Sequence, residues 1–369
     1  MNTYLLDSLT IRHFRAFREL HIPSLARVNL ITGKNNVGKS CLLEALWVYA
    51  RRGTGSALIQ ILTSRDEMRG LQQGNENVTE DQALAFKYLY FGRKDTRVPL
   101  EPIEIGPGIT SEKLLSINIG WYVVKSSESG RRDMLPVNPD EYNAGESPIL
   151  GLRIQDGDME PSVQRLDLLL ERRLARTLEP KGIPAVLVPA NGLDSKQISE
   201  FWDSIALTSL EDDVLASLRF IAPEVQRVNL VGDEGYSRNR VPFVKIAHQD
   251  APIPLRSLGE GMNRMFGLAL ALVNAQNGIL LIDEIESGLH YSAYLKVWRL
   301  IFKVAHELNI QVVATSHSWD AIEAFQQAAN EDSEKGLLIR LSRKGDDILP
   351  TLFSEDELAI ATRDQIEVR

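Results

Sequence analysis

The chain has 369 residues, 44% of them hydrophobic, and 41 Lys and Arg against 50 Asp and Glu give a formal net charge of −9. This describes a globular protein, and it excludes one that coats nucleic acid through overall positive charge, although local basic patches stay open. The single cysteine excludes an intramolecular disulfide framework and a cysteine-rich zinc site. We find no signal-peptide pattern and no apolar run long enough to cross a bilayer, so we expect a cytoplasmic protein without membrane contact.

The N-terminal region, residues 3–32, is expected to form two or three strands. The stretch LTIRHFRAFRELHI alternates apolar and polar residues in the manner of a hairpin, and RVNLIT follows as a short buried strand.

A glycine-marked loop, GKNNVGKS at residues 33–40, comes directly after that buried strand. Its spacing fits G-x-x-x-x-G-K-[ST], in which backbone N–H groups cradle phosphates and the lysine, here Lys39, meets the outer ones. Leu42, Leu43 and Leu46 then continue a helix, whose N-terminus favours an anion. The alternative is an ordinary glycine turn between a strand and a helix. The strand, loop and helix order favours phosphate binding.

The pattern changes between residues 98 and 183. LLSINIGWYVVKS and ILGLRIQDG indicate antiparallel strands, and SVQRLDLLLERRLARTL indicates a helix that carries Arg165, Arg172, Arg173 and Arg176. A solvated face explains these arginines, with a contact to a phosphate backbone as the alternative. We interpret 98–183 as an α+β insertion subdomain in a larger unit made of residues 1–97 and 184–369.

The second half returns to strands separated by helices. SEFWDSIALTSLEDDVLASLRFI is predicted to be helical, ILLID and IQVVATSH to be buried strands, and YSAYLKVWRLIFKVAHELN and SWDAIEAFQQAAN to be helices. Continuous apolar strands between helices predict an α/β fold with a mostly parallel sheet that is covered on both faces.

Candidate catalytic side chains follow two of these strands. Asp283 and Glu284 end ILLID, and His317 ends IQVVATSH, so all three are expected at the carboxyl edge of the sheet, where such folds bind ligands. Asp283 with the Ser40 hydroxyl can hold magnesium, and Glu284 can orient and deprotonate water. A helix cap is the alternative for the two acids, and a surface or packing role is the alternative for His317, which we interpret as a sensor of the γ-phosphate.

Together, GKNNVGKS, residues 258–270, LIDEIESGLH and ATSHS resemble the ABC-type ATPase head of the SMC, RecF and OLD (overcoming lysogenization defect) proteins. The bacterial AAA-type ATPases grouped with OLD carry similar DE-E-GLH and TSHS segments. The resemblance covers about residues 3–50 and 185–369. It implies a P-loop NTPase of the ABC/SMC-head type, with Walker A and Walker B motifs and with ATP and Mg²⁺ as ligands.

The resemblance also assigns roles by position. It implies Lys39, Glu284 and His317 as catalytic residues, and Ser40 and Asp283 as magnesium ligands. Arg15 resembles an early arginine that approaches the nucleotide phosphates in SMC-like heads. The implied nucleotide-binding set is Gly33, Lys34, Asn35, Asn36, Val37, Gly38, Lys39, Ser40, Cys41, Arg15, Gly259 and Gly261.

The signature segment departs from the family pattern. Alignment on MFGLALAL gives Leu258, Gly259, Glu260 and Gly261 in place of LSGG, so the serine that would touch the opposite nucleotide is missing and Ser257 is displaced. The helix N-terminus remains, with Asn263 or Arg264 as side-chain donors. Residues 288–290 would form the loop that crosses between two heads, so the resemblance implies an ATP-sandwich homodimer.

OLD nucleases carry a TOPRIM domain after the ATPase, whereas this chain has only a predicted strand pair and a helix after His317. The resemblance therefore implies an ATP-binding and ATP-hydrolysing switch subunit that controls a separately encoded effector, such as a nuclease in anti-phage defence. The alternative is an SMC- or RecF-like repair ATPase that clamps DNA on ATP binding, which needs a concentrated basic face that the net charge does not indicate. A nucleotide-gated scaffold without turnover is disfavoured by the intact Asp283 and Glu284.

Overall fold

The protein was analysed as a computed structural model that describes residues 5–68, 85–93, 100–110, 114–126, 132–137, 148–170, 182–232, 240–247, 249–332, 336–354 and 357–360. The strands are β1 (Leu9–Phe14), β2 (Phe17–Ile22), β3 (Val28–Thr32), β4 (Ile103–Gly106), β5 (Leu115–Ser126), β6 (Arg132–Pro136), β7 (Ile149–Asp156), β8 (Ser162–Arg165), β9 (Ala185–Val188), β10 (Val225–Gly232), β11 (Arg240–Ile246), β12 (Ile253–Pro254), β13 (Ile279–Ile282), β14 (Gln311–Thr315), β15 (Gly336–Lys344) and β16 (Asp347–Phe353). The helices are α1 (Lys39–Ala50), α2 (Gly55–Ser64), α3 (Leu166–Leu170), α4 (Ser195–Ile205), α5 (Ser209–Ile221), α6 (Glu260–Asn274), α7 (Tyr294–Glu307) and α8 (Trp319–Glu331).

The predicted parallel sheet is present, with strand order β16-β15-β3-β14-β13-β9. Its five strands from β15 to β9 pair in parallel, and β16 pairs antiparallel with β15 at one edge. β3, β14 and β13 are therefore neighbours, and their carboxyl ends bring together the three segments in which the sequence predicts chemistry.

Side chains along each strand of this sheet alternate between two hydrophobic cores, one on each face of the sheet. Leu280 and Ile282 pack with α4–α8 on one face, and Ile279 and Leu281 pack with α1, α2 and the antiparallel strands on the other. This alternation follows from the period of two in a strand. Because both faces are covered, every residue of the central strands β3, β13 and β14 is buried, and most of these residues are apolar, as the sequence predicts.

A second, antiparallel sheet has the order β2-β1-β4-β5-β7-β8, with β6 paired to β5. The predicted hairpin of β1 and β2 is present, and β4 pairs with β1. Strands from residues 98–183 thus extend the N-terminal hairpin and share its hydrophobic core. Pairing alone does not define a domain, so the division into 1–97 with 184–369 and an insertion at 98–183 stays a prediction.

Two helix predictions were wrong in part. The segment expected to be one helix up to Ile221 is two helices, because Leu207 adopts φ +64° between α4 and α5 and the Thr208 hydroxyl caps the new helix at Leu210 N–H. In SVQRLDLLLERRLARTL the first four residues form β8, paired with β7, and α3 begins only at Leu166. Arg172, Arg173 and Arg176 lie outside the described residues.

A short three-stranded sheet, β10-β11-β12, packs against α4 and α5. Within the ranges that the structure describes, we find no helix that is both long enough and apolar enough to cross a membrane.

Candidate nucleotide-binding site

The loop of residues 33–40 requires glycine at both of its glycine positions. Gly33 has φ +138°, and a Cβ there would lie 2.4 Å from the Leu341 carbonyl oxygen of β15. Gly38 has φ +95° directly before α1, and a Cβ there would lie 3.0 Å from the Phe17 ring. Side chains are strained at such φ angles, so the loop shape depends on these glycines.

The remaining loop residues separate into exposed and buried positions. Lys34, Asn35 and Asn36 are exposed, whereas Val37 is buried in the core beneath the loop. Asn36 adopts φ +64°, and its carbonyl oxygen accepts a hydrogen bond from Arg343 at 3.2 Å. The exposed backbone between the glycines is what a phosphate would meet.

Lys39 lies across the loop at the first position of α1. Its Nζ donates to the carbonyl oxygens of Gly33 at 2.7 Å and Lys34 at 3.2 Å. Burial lowers the pKa of Lys39 below its ordinary value, while the nearby carboxylates oppose this shift. The ammonium group is therefore held at the loop by backbone dipoles and by acidic neighbours, in a position where a phosphate could replace the carbonyls as its partner.

Ser40 and Asp283 meet as the sequence predicts. Ser40 Oγ donates to Asp283 Oδ2 at 2.9 Å, which joins the start of α1 to the end of β13. The other carboxylate oxygen, Oδ1, accepts a hydrogen bond from Thr315 Oγ1 at 2.7 Å. Asp283 is thus oriented from both sides, with one oxygen aimed at the phosphate loop.

Glu284 stands next to Asp283 in an unusual backbone conformation. Its φ is +47°, which costs a residue other than glycine about 1–3 kcal/mol and is found most often at functional sites. Its N–H donates to Thr315 Oγ1 at 2.8 Å, and its Oε2 accepts a hydrogen bond from Ser287 Oγ at 3.0 Å. The side chain is 42% exposed. The strained backbone therefore presents a half-exposed carboxylate at the sheet edge.

His317 lies at the same edge, after β14. Its Nδ1 is 3.1 Å from Glu286 Oε1 and 4.0 Å from Glu284 Oε1, and its side chain is 52% exposed. The structure thus brings Lys39, Ser40, Asp283, Glu284 and His317 to one place, as predicted from three separate segments.

Two residues that hold the candidate site in place were not predicted from the sequence. Thr315 is fully buried and bridges Asp283 and Glu284, and Glu286 is 8% exposed and holds residues 317 and 318. Glu286 is visible in the sequence as the third acidic residue of LIDEIESGLH. Thr315 gives no such signal, because threonine is common in buried strands.

Arg15 has other partners than the predicted phosphates. Its guanidinium group is 5% exposed and forms ion pairs with Glu44 of α1 and with Glu67. Arg65 also pairs with Glu44, at 2.5 Å. A role of Arg15 toward a nucleotide stays a prediction, since in this structure the group belongs to a buried ion-pair cluster.

Cys41 belongs to the first turn of α1 and is buried. Burial raises the pKa of the Cys41 thiol, and Arg65 donates to its sulfur at 3.7 Å. Any contribution of Cys41 to a nucleotide would come from its backbone, because the side chain packs inward.

The signature segment leads into α6. Gly259 has φ +104° and open space around it, and a Cβ on Gly261 would lie 3.6 Å from the Gly288 carbonyl oxygen. The backbone at the start of α6 is therefore accessible and lies beside the 288–290 loop. The atom nearest to a Cβ on Gly261 belongs to residue 288 and not to the phosphate loop, and nucleotide contacts of Gly259 and Gly261 stay a prediction.

Arg264 points into the chain rather than out of it. It is 7% exposed and donates to the carbonyl oxygens of Pro189 at 2.9 Å and Asp283 at 3.4 Å. It lines a cavity of about 190 Å³ together with Asn263 and Gly288. Arg264 therefore connects α6 with the ends of β9 and β13, and of the two predicted donors Asn263 is the more accessible.

In the described residues no group of three or more His, Cys, Asp or Glu side chains is arranged to hold a metal ion. A hydroxyl and a carboxylate oxygen that lie 2.9 Å apart fit magnesium, which takes few protein ligands and completes its shell with water and phosphate oxygens. Ser40 and Asp283 thus match the ion that the sequence predicts.

Two segments of the chain that contain candidate site residues match known family models. A family model described as "AAA domain, putative AbiEii toxin, Type IV TA system" matches residues 209–322, and a second AAA domain model matches residues 8–55. The first match includes Asp283, Glu284 and His317, and the second includes the phosphate loop. The chain therefore carries AAA-type ATPase domains, and the finer resemblance to the OLD branch stays a prediction.

Individual relatives agree with this result. An "ATP/GTP phosphatase" of Helicobacter pylori is 21% identical over 352 residues, which are 89% of each chain. An uncharacterized protein of Methanocaldococcus jannaschii is 30% identical over 97 residues, which are 26% of this chain and 85% of that protein, so the two share a family over this region. Among solved structures, an SMC head bound to the C-winged helix domain of ScpA matches with a TM-score of 0.50 and 14% identity, covering 95% of this chain and 98% of that one. The fold is that of an SMC-head-like P-loop NTPase.

Proposed function

From its AAA-type ATPase sequence and its SMC-head-like fold, we propose that this chain binds ATP at residues 33–40, hydrolyses it with magnesium, and acts as a switch subunit. The observation that carries the proposal is the 2.9 Å hydrogen bond between Ser40 Oγ and Asp283 Oδ2, beside Lys39. It joins two segments 243 residues apart, whose separate motifs indicate phosphate binding and magnesium binding.

In the proposed binding step, side chains of this chain position the phosphates and the magnesium ion. Lys39 exchanges the carbonyls of Gly33 and Lys34 for the outer phosphates, while Ser40 and Asp283 present two oxygens to the ion. Magnesium, when bound, neutralises charge on the phosphate oxygens. Thr315 keeps Asp283 in the required orientation through the 2.7 Å hydrogen bond to Oδ1.

For hydrolysis, Glu284 is the proposed general base. Ser287 occupies Oε2, so Oε1 is the oxygen available to take a proton from water. His317 lies 4.0 Å from that oxygen and is the proposed sensor of the γ-phosphate. Both side chains are about half exposed, so a nucleotide can reach them.

We further propose a homodimer that closes over ATP and regulates a separately encoded effector in defence against phage. The open space at Gly259 and the exposed Gly288 and His290 support a contact between copies, and the match to a family described as a putative toxin of a type IV toxin–antitoxin system supports a role in defence.

The test combines hydrolysis, association and DNA assays on the full chain. We expect slow ATP hydrolysis, an ATP-dependent dimer of the Glu284→Gln variant in sedimentation velocity, and intact plasmid after incubation with ATP and magnesium or manganese. Metal-dependent plasmid cleavage that is lost on changing a carboxylate outside the ATP site would contradict the switch. Salt-sensitive DNA binding that appears only with ATP would favour the clamp instead.

A further inference from the structure

The geometry points to Glu286 as a positioning residue that fixes the ring orientation and the tautomer of His317. The expected effect of Glu286 on kcat rests on the proposed ATP hydrolysis, whereas its expected effect on the tautomer of His317 does not. Glu286 follows β13, and His317 lies between β14 and α8, so this contact connects the ends of two neighbouring parallel strands.

A single carboxylate oxygen makes all of the contacts. Glu286 Oε1 accepts hydrogen bonds from His317 N at 2.8 Å and from Ser318 N at 3.1 Å, and it lies 3.1 Å from His317 Nδ1. Both the backbone and the ring of residue 317 are therefore held by one group. Since the two N–H groups stand at the start of α8, the same carboxylate also stabilises the helix N-terminus.

The contact favours one position for the ring proton. Oε1 is a hydrogen-bond acceptor that faces Nδ1 at 3.1 Å, so we place the proton of a neutral His317 ring on Nδ1. Nε2 is then left to meet a ligand. Glu284 Oε1, at 4.0 Å from Nδ1, is beyond hydrogen-bond distance. Glu286, rather than the proposed general base, therefore holds the ring.

The burial of Glu286 argues against a purely accidental contact. The residue is 8% exposed, and its second oxygen, Oε2, is buried without a hydrogen-bond partner in the described structure. A buried carboxylate is costly, and an unpaired buried oxygen adds to that cost. A glutamine would satisfy the backbone N–H groups equally well, so the feature that only the acid provides is a charged acceptor for the imidazole.

The kinetic test is a double-mutant cycle with Glu286→Gln and His317→Gln in the full chain. Glu286→Gln should lower kcat for ATP about 10-fold or more, the range expected when a charge-assisted contact is lost, and should leave KM within about 3-fold. The double variant should match His317→Gln within about 2-fold, because Glu286 acts through that ring. Independent, multiplying effects, or an unchanged kcat in Glu286→Gln, would overturn the proposal.

Ser318→Ala is the matched control for helix capping, since it removes the hydroxyl that accepts from Ala321 N and leaves Glu286 intact. It should keep kcat within about 2-fold, whereas a loss equal to that of Glu286→Gln would assign the effect to the helix and overturn the proposal.

The second readout needs no nucleotide and no folded Glu286 variant. In the wild-type protein with ¹⁵N-labelled histidine, the His317 signal, identified by its loss in His317→Gln, should show the proton on Nδ1 in the neutral ring. A proton on Nε2 would overturn the assignment. If the wild-type protein hydrolyses no ATP, the proposed function fails, while this spectrum still decides the role of Glu286.

Discussion

Replacing Thr315 by valine tests how the proposed magnesium ligand, Asp283, and the proposed general base, Glu284, are held. Thr315 Oγ1 donates to Asp283 Oδ1 at 2.7 Å and accepts from Glu284 N at 2.8 Å, and the residue has no exposed surface. Valine has nearly the same shape, so Thr315→Val removes two hydrogen bonds with little change in packing. We expect Asp283 to lose its orientation and the strained backbone of Glu284 to lose its support.

The magnitude follows from the two contacts. A lost hydrogen bond to a charged group costs about 1.5–3 kcal/mol and an unpaired buried N–H about 1–3 kcal/mol. Because Asp283 and Glu284 are only partly buried, we expect the loss of the two hydrogen bonds together to lower the free energy of unfolding by about 2 kcal/mol. For a chain of 369 residues, whose unfolding entropy is about 0.8 kcal/mol/K, that lowers Tm by about 2.5 °C. ATP turnover should fall more steeply, since the change would displace both the proposed magnesium ligand and the proposed general base.

The assays are differential scanning calorimetry and phosphate release, with Thr315→Ser as the control that keeps the hydroxyl. The serine variant should retain most of the activity and stability. If Thr315→Val matched the wild-type protein in both Tm and turnover, the reasoning from these hydrogen bonds would be refuted.

Three further outcomes are expected. Lys39→Ala should weaken binding of a fluorescent ATP analogue about 10- to 150-fold, the equivalent of a charge-assisted contact, and unchanged affinity would remove Lys39 from the phosphate site. Gly33→Ala should lower Tm by several degrees more than Gly345→Ala, because both have positive φ but only Gly33 faces a carbonyl oxygen at 2.4 Å, and equal losses would show that this contact does not matter. Cys41 should react with a thiol reagent at pH 8 far more slowly in the native protein than in urea, because burial raises its pKa and lowers its thiolate fraction, and equal rates would mean that the thiol is accessible.

The sequence predicts the parts of the site that depend on local pattern. The apolar strands before Gly33 and after Gly278 have too few polar residues to be exposed, and the parallel sheet follows from them. Given that sheet, Ser40, Asp283 and His317 must meet at its carboxyl edge, as they do. These expectations need only strand periodicity and the rule that parallel strands end at the same edge.

Other features depend on contacts between distant segments and could not be read from the sequence. Arg15 was predicted to approach phosphates, but its ion pairs with Glu44 and Glu67 depend on how β1 and β2 pack over α1. The break between α4 and α5 arises at Leu207, a residue type that seldom adopts positive φ. A predictor based on propensity has no reason to end a helix there.

The roles of Glu286 and Thr315 illustrate the same limit within the site. Each acts on a neighbouring strand, Glu286 on residues 317 and 318 and Thr315 on residues 283 and 284. The acidic pattern of LIDEIESGLH indicates a site, but the direction of each side chain is determined only when β13 and β14 pair.

The central claim, that ATP is bound and hydrolysed where Ser40 meets Asp283, is tested most directly by phosphate release from ATP by the full chain and by its Asp283→Asn variant, measured across a magnesium titration. The amide keeps the size of the side chain but removes the charge that attracts the ion. The account predicts magnesium-dependent turnover in the wild-type protein and a loss of both turnover and magnesium dependence in the variant. Equal turnover with the same magnesium dependence in both proteins would contradict it.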